Sequence, residues 1–190
     1  QQRPVTSSPT APQFPPGQWV KVFTKFEDLP EHLRKPDSGV SWKDGALEGK
    51  LSSLEMSQGK NMKNCGLRMI ADADTKLVLI LRRSPQMGYY SFGEQRVTRW
   101  DAGANGSGSN TDLARINVQT ASVKESRLEF SAVGTRLFVR FDDKLVSTVS
   151  DTKIESGVLS IGNFEGTIRD IEVINLDGIP EAEALRIIGV

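Results

Sequence analysis

The chain has 190 residues, 37% of them hydrophobic, and its 24 Lys and Arg residues balance 24 Asp and Glu residues. That length suits one domain around a single core. A zero net charge gives no global field toward nucleic acid or an anionic membrane, and no apolar run reaches the roughly 18 residues of a membrane span.

In chain order, residues 1–17 are rich in Pro, Gln, Ser and Thr, a composition that cannot bury enough apolar surface to hold a fold. The domain division that follows is a linker over 1–18, a β-sandwich over 19–177 and a helical tail over 178–190. The start at Gln1 reads as a module taken from a longer protein. Residues 19–23 alternate and form the first strand, with Trp19 entering the core. Residues 28–37 are an irregular turn, and strands at 40–42 and 46–51 flank Lys43, Asp44 and Gly45, a strong hairpin signal. A polar loop at 57–64 leads to a strand at 66–71, and a near-continuous apolar strand follows at 77–82, fit for a central position.

Strands at 88–92 and 96–100 precede a loop at 101–112 dominated by Gly, Asn and Ser, and strands resume at 114–118. From Arg127 to Leu176, short apolar runs alternate with turn clusters at the spacing of an antiparallel sandwich. Phe141 is expected in the core. Pro180 then opens a short helix through Ile188, with Glu181 and Glu183 in the first turn and Ala182, Leu185 and Ile188 on one face. The fold class is all-β: an antiparallel two-sheet jelly-roll sandwich with a short C-terminal helix.

The residues with chemistry to offer cluster between 82 and 101. Flat aromatic faces suit the C–H surface of a sugar, and guanidinium or carboxylate groups suit its paired hydroxyls. Arg82, Tyr89, Tyr90, Arg99, Trp100 and Asp101 are therefore the candidate ligand-binding residues, and an oligosaccharide or polysaccharide is the expected ligand. Tyr89 and Tyr90, adjacent on one strand, must point to opposite faces. A filled sandwich core is the plain alternative use of these aromatics. The glycine-rich loop at 101–112 is either a lid or a connector, and Asn105 with Ser107 matches a glycosylation acceptor.

Other chemistries find less support. The lone cysteine, Cys65, excludes an internal disulfide and a multi-cysteine metal site. The lone histidine, His32, sits in a surface turn and would have to serve any His-dependent nucleophilic mechanism. Calcium is the one ion to weigh, from Asp72 with Asp74 or Asp101 with Asp112 and Asn110, but the spacings resemble no dedicated loop. No cofactor is expected. Asp170 and Glu172 share a strand face, yet no glycosidase-like pair of acids stands at the even spacing such chemistry favours.

Asn64 to Arg68 ahead of an apolar strand, residues 88–92 and residues 159–173 together resemble the concanavalin A-like lectin and glucanase superfamily. Within it the chain is similar to laminin-G-like and 3-keto-disaccharide hydrolase-like domains. Residues 17–30 and 177–183 resemble C-terminal regions of certain bacterial serine/threonine kinases, although no kinase element is present. The resemblance implies a jelly-roll and an extracytoplasmic sensing or carbohydrate-binding role, periplasmic or at the cell surface. It carries over no catalytic residue. The reading is a non-catalytic ligand-binding module of a larger bacterial protein. The alternatives are an enzyme hydrolysing glycosidic bonds and a domain that binds a protein partner.

Overall fold

A computed structural model of the chain describes residues 14–103, 107–117 and 124–190. The alternation of apolar and polar residues is realised as strands β1 (Trp19–Lys21), β2 (Val40–Lys43), β3 (Ala46–Glu55), β4 (Cys65–Asp72), β5 (Lys76–Ser84) and β6 (Gly88–Gly93). These are followed by β7 (Arg96–Ala102), β8 (Gly108–Arg115), β9 (Glu125–Val133), β10 (Arg136–Phe141), β11 (Lys144–Ser150) and β12 (Val158–Asn175), and by one helix, α1 (Glu181–Ile187). Asp44 and Gly45, at φ 50° and 81°, make the two-residue turn between β2 and β3, the conformation a tight hairpin requires.

Strand β12 organises the rest. Its 18 residues would span about 60 Å if straight, more than the ~40 Å width of a domain this long. It bends instead. Asn163 (φ 49°), Gly166 (φ 137°) and Asp170 (φ 50°) leave extended geometry, and the register slips at Gly162/Glu165 against β5 and at Arg169/Glu172 against β4. A side chain at Gly166 would press on Thr75 at 2.6–3.0 Å, so the bend needs glycine there.

The first half of β12 pairs with β5, the second half with β4 and β1, and β3 runs beside its middle. The chain thus forms a front sheet, β2-β3-β12-β5-β6-β7-β8, and a back sheet, β1-β12-β4-β9-β10-β11, every named-strand pairing antiparallel. The all-β sandwich read from the sequence is the observed architecture.

The core lies between the sheets. Leu79, Leu81, Tyr90, Phe92 and Val97 from the front meet Leu67, Met69, Phe130, Leu137 and Val139 from the back. Phe92 and Phe130 pack with ring centroids 6.2 Å apart. Phe141 is half-buried, because β10 ends there at the margin of the back sheet. Cys65 is wholly buried in this core, and burial pushes its thiol up to about 12.

A second, smaller cluster covers the outside of the back sheet, where Ala184 and Ile188 of the tail pack on Val133, Phe138, Ile174 and Leu176. The helix therefore docks, and its buried face is set by Ala184 and Ile188, with Ala182 left exposed. Glu181 at its start pairs with Arg136 at 2.5 Å, and Arg140 donates to the carbonyls of Ile188 and Gly189 at its end. Beside this cluster, register aligns Lys21, Glu172, Arg68, Glu129 and Arg140 across five strands with alternating charge.

The loop expected over 101–112 is shorter than its composition implies. Residues 108–112 are the start of β8, whose backbone pairs with β7 whatever its small polar side chains. The glycosylation motif and the first part of the linker reach residues outside those described. The end of the linker is structured: Phe14 is buried in the main core, and the Gly17 N–H donates to the Asn175 carbonyl at 2.8 Å. Phe14→Ala is expected to lower the unfolding free energy by about 3–5 kcal/mol in urea denaturation. A loss below about 0.5 kcal/mol would show that residues 14–18 do not dock.

Candidate functional site

The strand period of two divides the front sheet into a core face and an outer face. On β6, Tyr90 and Phe92 point inward, which turns Tyr89 and Ser91 outward; on β7, inward Val97 turns Thr98 and Trp100 outward. Tyr89 lies opposite Trp100 in the ladder, and their rings stack with centroids 5.3 Å apart and planes 19° from parallel. The indole also rests on Gly108 of β8, where any Cβ would overlap the ring. That contact is a reason for glycine in a strand.

Beside this pair is an open hollow of about 290 Å³. Ile80, Val78 and Gly162 lie within it, and Ser53, Ser91, Thr98, Asn110, Arg83 and Tyr89 supply its polar and aromatic lining. The hydroxyls of Ser91 and Thr98 are 2.7 Å apart, and Arg83 Nη1 donates to Ser53 Oγ at 3.0 Å. A larger trough of about 780 Å³ adjoins it, sharing Ser52, Val78 and Asn163, and adds Lys50, Lys76, Glu94 and Glu165. Lys50 and Glu165 form an exposed pair at 3.0 Å. The hydrogen bond from Lys50 and the charge of Lys76 hold the Glu165 carboxyl below its ordinary range.

The six candidate residues separate into three environments. Tyr89 and Trp100 share the outer face. Arg99 and Asp101, two residues apart on β7, join Tyr90 on the other side, at the margin of the sandwich. Arg99 Nε donates to Asp101 at 2.9 Å, Arg99 Nη1 pairs with Asp151, and Lys153 pairs with Asp101 at 3.2 Å. The Tyr90 hydroxyl donates to Asp151 at 2.6 Å and accepts the Ile154 N–H at 3.0 Å. Burial and the bond to Asp151 push this phenol up to about 12.

Arg82 is buried, 1% exposed, in a positive-φ position on β5 (φ 53°). Its guanidinium donates to the carbonyls of Lys63, Gly134 and Ile154 at 2.7–3.1 Å. Arg82 and Tyr90 thus point away from the outer face, and their polar atoms serve the protein's own backbone and Asp151. The residues that the sequence reading left out of the candidate set are Ser53, Ser91, Thr98, Asn110 and Arg83. The first four share one signal, alternation, each lying opposite the core face of its strand. Arg83 has the parity of buried Leu79 and Leu81 and is turned outward by the irregularity at Arg82.

Three of the four acids considered for calcium are engaged elsewhere. Asp101 binds Arg99 and Lys153, Asp112 faces Arg96 and Arg115 at 3.7 and 3.6 Å, and Asp72 faces Arg169 at 3.5 Å. Among the described residues, no three His, Cys, Asp or Glu side chains converge as metal ligands. Asp170 and Glu172 are held by Lys21 and Arg68, and His32 is exposed in a single 3-10 turn.

No protein-family model matches the chain, and no curated protein matches its sequence. Solved structures do share its fold. A carbohydrate-binding module of Bacillus subtilis, CBM66, superposes with a TM-score of 0.50 at 14% identity, covering 84% of this chain and 91% of that one. A Parabacteroides distasonis protein that carries a glycosyl-hydrolase name superposes with a TM-score of 0.56 at 13% identity, covering 84% of this chain and 100% of that one. The fold is a concanavalin A-like sandwich.

The ion cluster at the margin has a measurable consequence. Burial raises the Asp151 carboxyl, but bonds from Tyr90, the Lys153 N–H and Arg99 outweigh it, and the net shift is downward. Asp101 behaves alike, with Arg99 and Lys153 outweighing burial. An acid with a lowered folded-state pKa stabilises the fold above the ordinary carboxylate range, and this stability is lost as pH falls through the folded value. Asp151→Asn is expected to remove about 3 kcal/mol at neutral pH, with the gap to wild type closing as urea unfolding is repeated toward about pH 3. A gap that is constant with pH would mean that the cluster contributes no charge-linked stability.

Proposed function

We propose that this chain is a carbohydrate-binding sandwich module and that the outer face of the front sheet is its ligand face. The observation that carries the reading is the Tyr89–Trp100 stack beside a hydroxyl-lined hollow. A pyranose presents a flat C–H surface to an aromatic ring and a fringe of hydroxyls to its surroundings. Tyr89 offers the ring, stacked on Trp100, which itself rests on Gly108, and Ser53, Ser91, Thr98 and Asn110 offer donors and acceptors in the same hollow. The continuous trough has room for more than one sugar unit, so an oligosaccharide or polysaccharide chain is the preferred ligand. The names of the two solved structures with this fold, a carbohydrate-binding module and a glycosyl hydrolase, are in keeping with a saccharide ligand.

Binding without cleavage is the preferred chemistry. Glycoside hydrolysis ordinarily needs two carboxyls flanking one bond. None of the described residues lining the hollow is an acid, and of the two acids lining the trough, Glu94 and Glu165, the second is paired with Lys50. The module would belong to a larger bacterial protein and act outside the cytoplasm, as the resemblance to kinase C-terminal regions implies. Of the six sequence candidates, Tyr89 and Trp100 are assigned to ligand contact and support. Arg82, Tyr90, Arg99 and Asp101 are assigned to holding the frame.

The test is a glycan panel read by thermal shift and then by calorimetry, on wild type and Tyr89→Ala. A saturable rise in melting temperature is expected with at least one glycan, and Tyr89→Ala is expected to weaken its binding about tenfold or more while the protein stays folded. Unchanged affinity in the variant would move the site elsewhere. Absence of any glycan response would leave binding of a protein partner as the leading function.

A further inference from the structure

Arg83 and Ser160 together carry a specificity that the hollow's shape alone does not. Leu159 and Ile161 of β12 are both buried in the inter-sheet core, so Ser160 between them faces outward with Ile80, its partner on β5. Yet Ser160 is fully buried and its hydroxyl has no hydrogen-bond partner, the one such side-chain atom among the described residues. An unmet hydroxyl of this kind destabilises a fold by about 1–3 kcal/mol and calls for an explanation.

The cover over it is identifiable from register. Arg83 on β5 stands opposite Val158 of β12, and Ser53 on β3 stands opposite Gly162. Arg83 reaches Ser53 with a 3.0 Å hydrogen bond, so its side chain crosses β12 between positions 158 and 162, over Ser160. Arg83 is exposed, and no carboxylate pairs with it among the described residues. Arg96 and Arg99 on β7, by contrast, pair with Asp112 and with Asp101 and Asp151. Glu55, opposite Ser160 on β3, turns its carboxylate to the Gly59 N–H and the Ser57 hydroxyl. The hollow therefore holds one uncompensated cation over hydroxyls, beside an aromatic ring.

Building on the saccharide reading of this face, we propose that the hollow is a subsite for an acidic sugar, one bearing a carboxylate or sulfate. Arg83 meets the anionic group while Tyr89 packs on the ring. When Arg83 turns from Ser53 to the ligand, the Ser160 and Ser53 hydroxyls are uncovered and hydrogen-bond to it. The orphan hydroxyl is then a group held ready for the bound state and left unmet in the free one.

The experiment uses the full chain and matched pairs of immobilised glycans that differ only in an acidic group: uronate against neutral hexose, sulfated against unsulfated, sialylated against asialo. Acidic members should bind more tightly, with an advantage that shrinks as salt is raised. Arg83→Gln should lose about tenfold in affinity for them, the worth of a charge-assisted hydrogen bond, and little for neutral members, while Arg83→Lys keeps part of the preference. Ser160→Ala should raise the melting temperature, by removing an unmet polar group, and weaken acidic-glycan binding. Equal binding of neutral and acidic members, unaffected by Arg83→Gln, would overturn the acidic-sugar assignment and leave the saccharide reading standing. Binding of no glycan would overturn both. A melting temperature lowered by Ser160→Ala would overturn the role given to that hydroxyl.

Discussion

The backbone of one strand holds this protein together. β12 supplies hydrogen-bonding edges to β5, β3, β4 and β1, so both sheets are nucleated on the same 18 residues. Sharing a strand between two sheets forces bends, and the bends appear as positive φ at Asn163, Gly166 and Asp170 with register slips beside them. The side-chain parity changes at Asn163 and again at Asp170, and is kept across Gly166. Phe164 and Ile168 are inward on even numbers, while Ile161, Ile171 and Val173 are inward on odd ones. The switch keeps apolar residues in the core as the strand passes from one sheet to the other. It also places Ser160 and Gly162 on the outer face, in and under the hollow.

Around that strand, arginines close the sandwich in ways their sequence positions do not advertise. Arg82 donates to three backbone carbonyls from separate connections, after β3, β9 and β11. Arg99 joins β7 to Asp151 beyond β11, and Arg140 holds the end of α1. Each is a planar cation with several fixed donors, which suits it to gather backbone or carboxylate oxygens that no ladder satisfies. Arg83, one residue from Arg82, is left on the opposite face, bonded to the Ser53 hydroxyl and with no carboxylate partner among the described residues. A guanidinium so placed beside an aromatic ring has a different significance from one spent on the frame.

The front and back sheets differ in what covers them. The outside of the back sheet carries α1, Trp19 and an alternating row of charges in which Arg68 stands 4.2 Å from the Trp19 ring and 2.5 Å from Glu172. The outside of the front sheet carries no helix among the described residues, and its polar groups line open hollows. The segment around Gly17 and the helix at 181–187 lie together, with Gly17 close to Ile179 and Ile187. Residues 17 and 179–187 thus lie together at the back of the sandwich.

Much of the fold was legible in the sequence because it depends on local period and turn chemistry. The alternation in residues 127–176, the hairpin at Asp44 and Gly45, the opposite facing of Tyr89 and Tyr90, and the short helix after Pro180 all follow from rules spanning a few residues. The tertiary structure decided what those rules cannot reach. Composition made residues 108–112 look like a loop, but an edge strand is defined by backbone pairing with β7. Six residues close in sequence looked like one site, yet strand parity sends them to three environments. A positive φ at Arg82 and the reach of distant carbonyls decide that Arg82 is interior while Arg83 is exposed. The sequence determined which residues alternate; only long-range pairing with β12 decided which side of each strand is core and which faces a ligand.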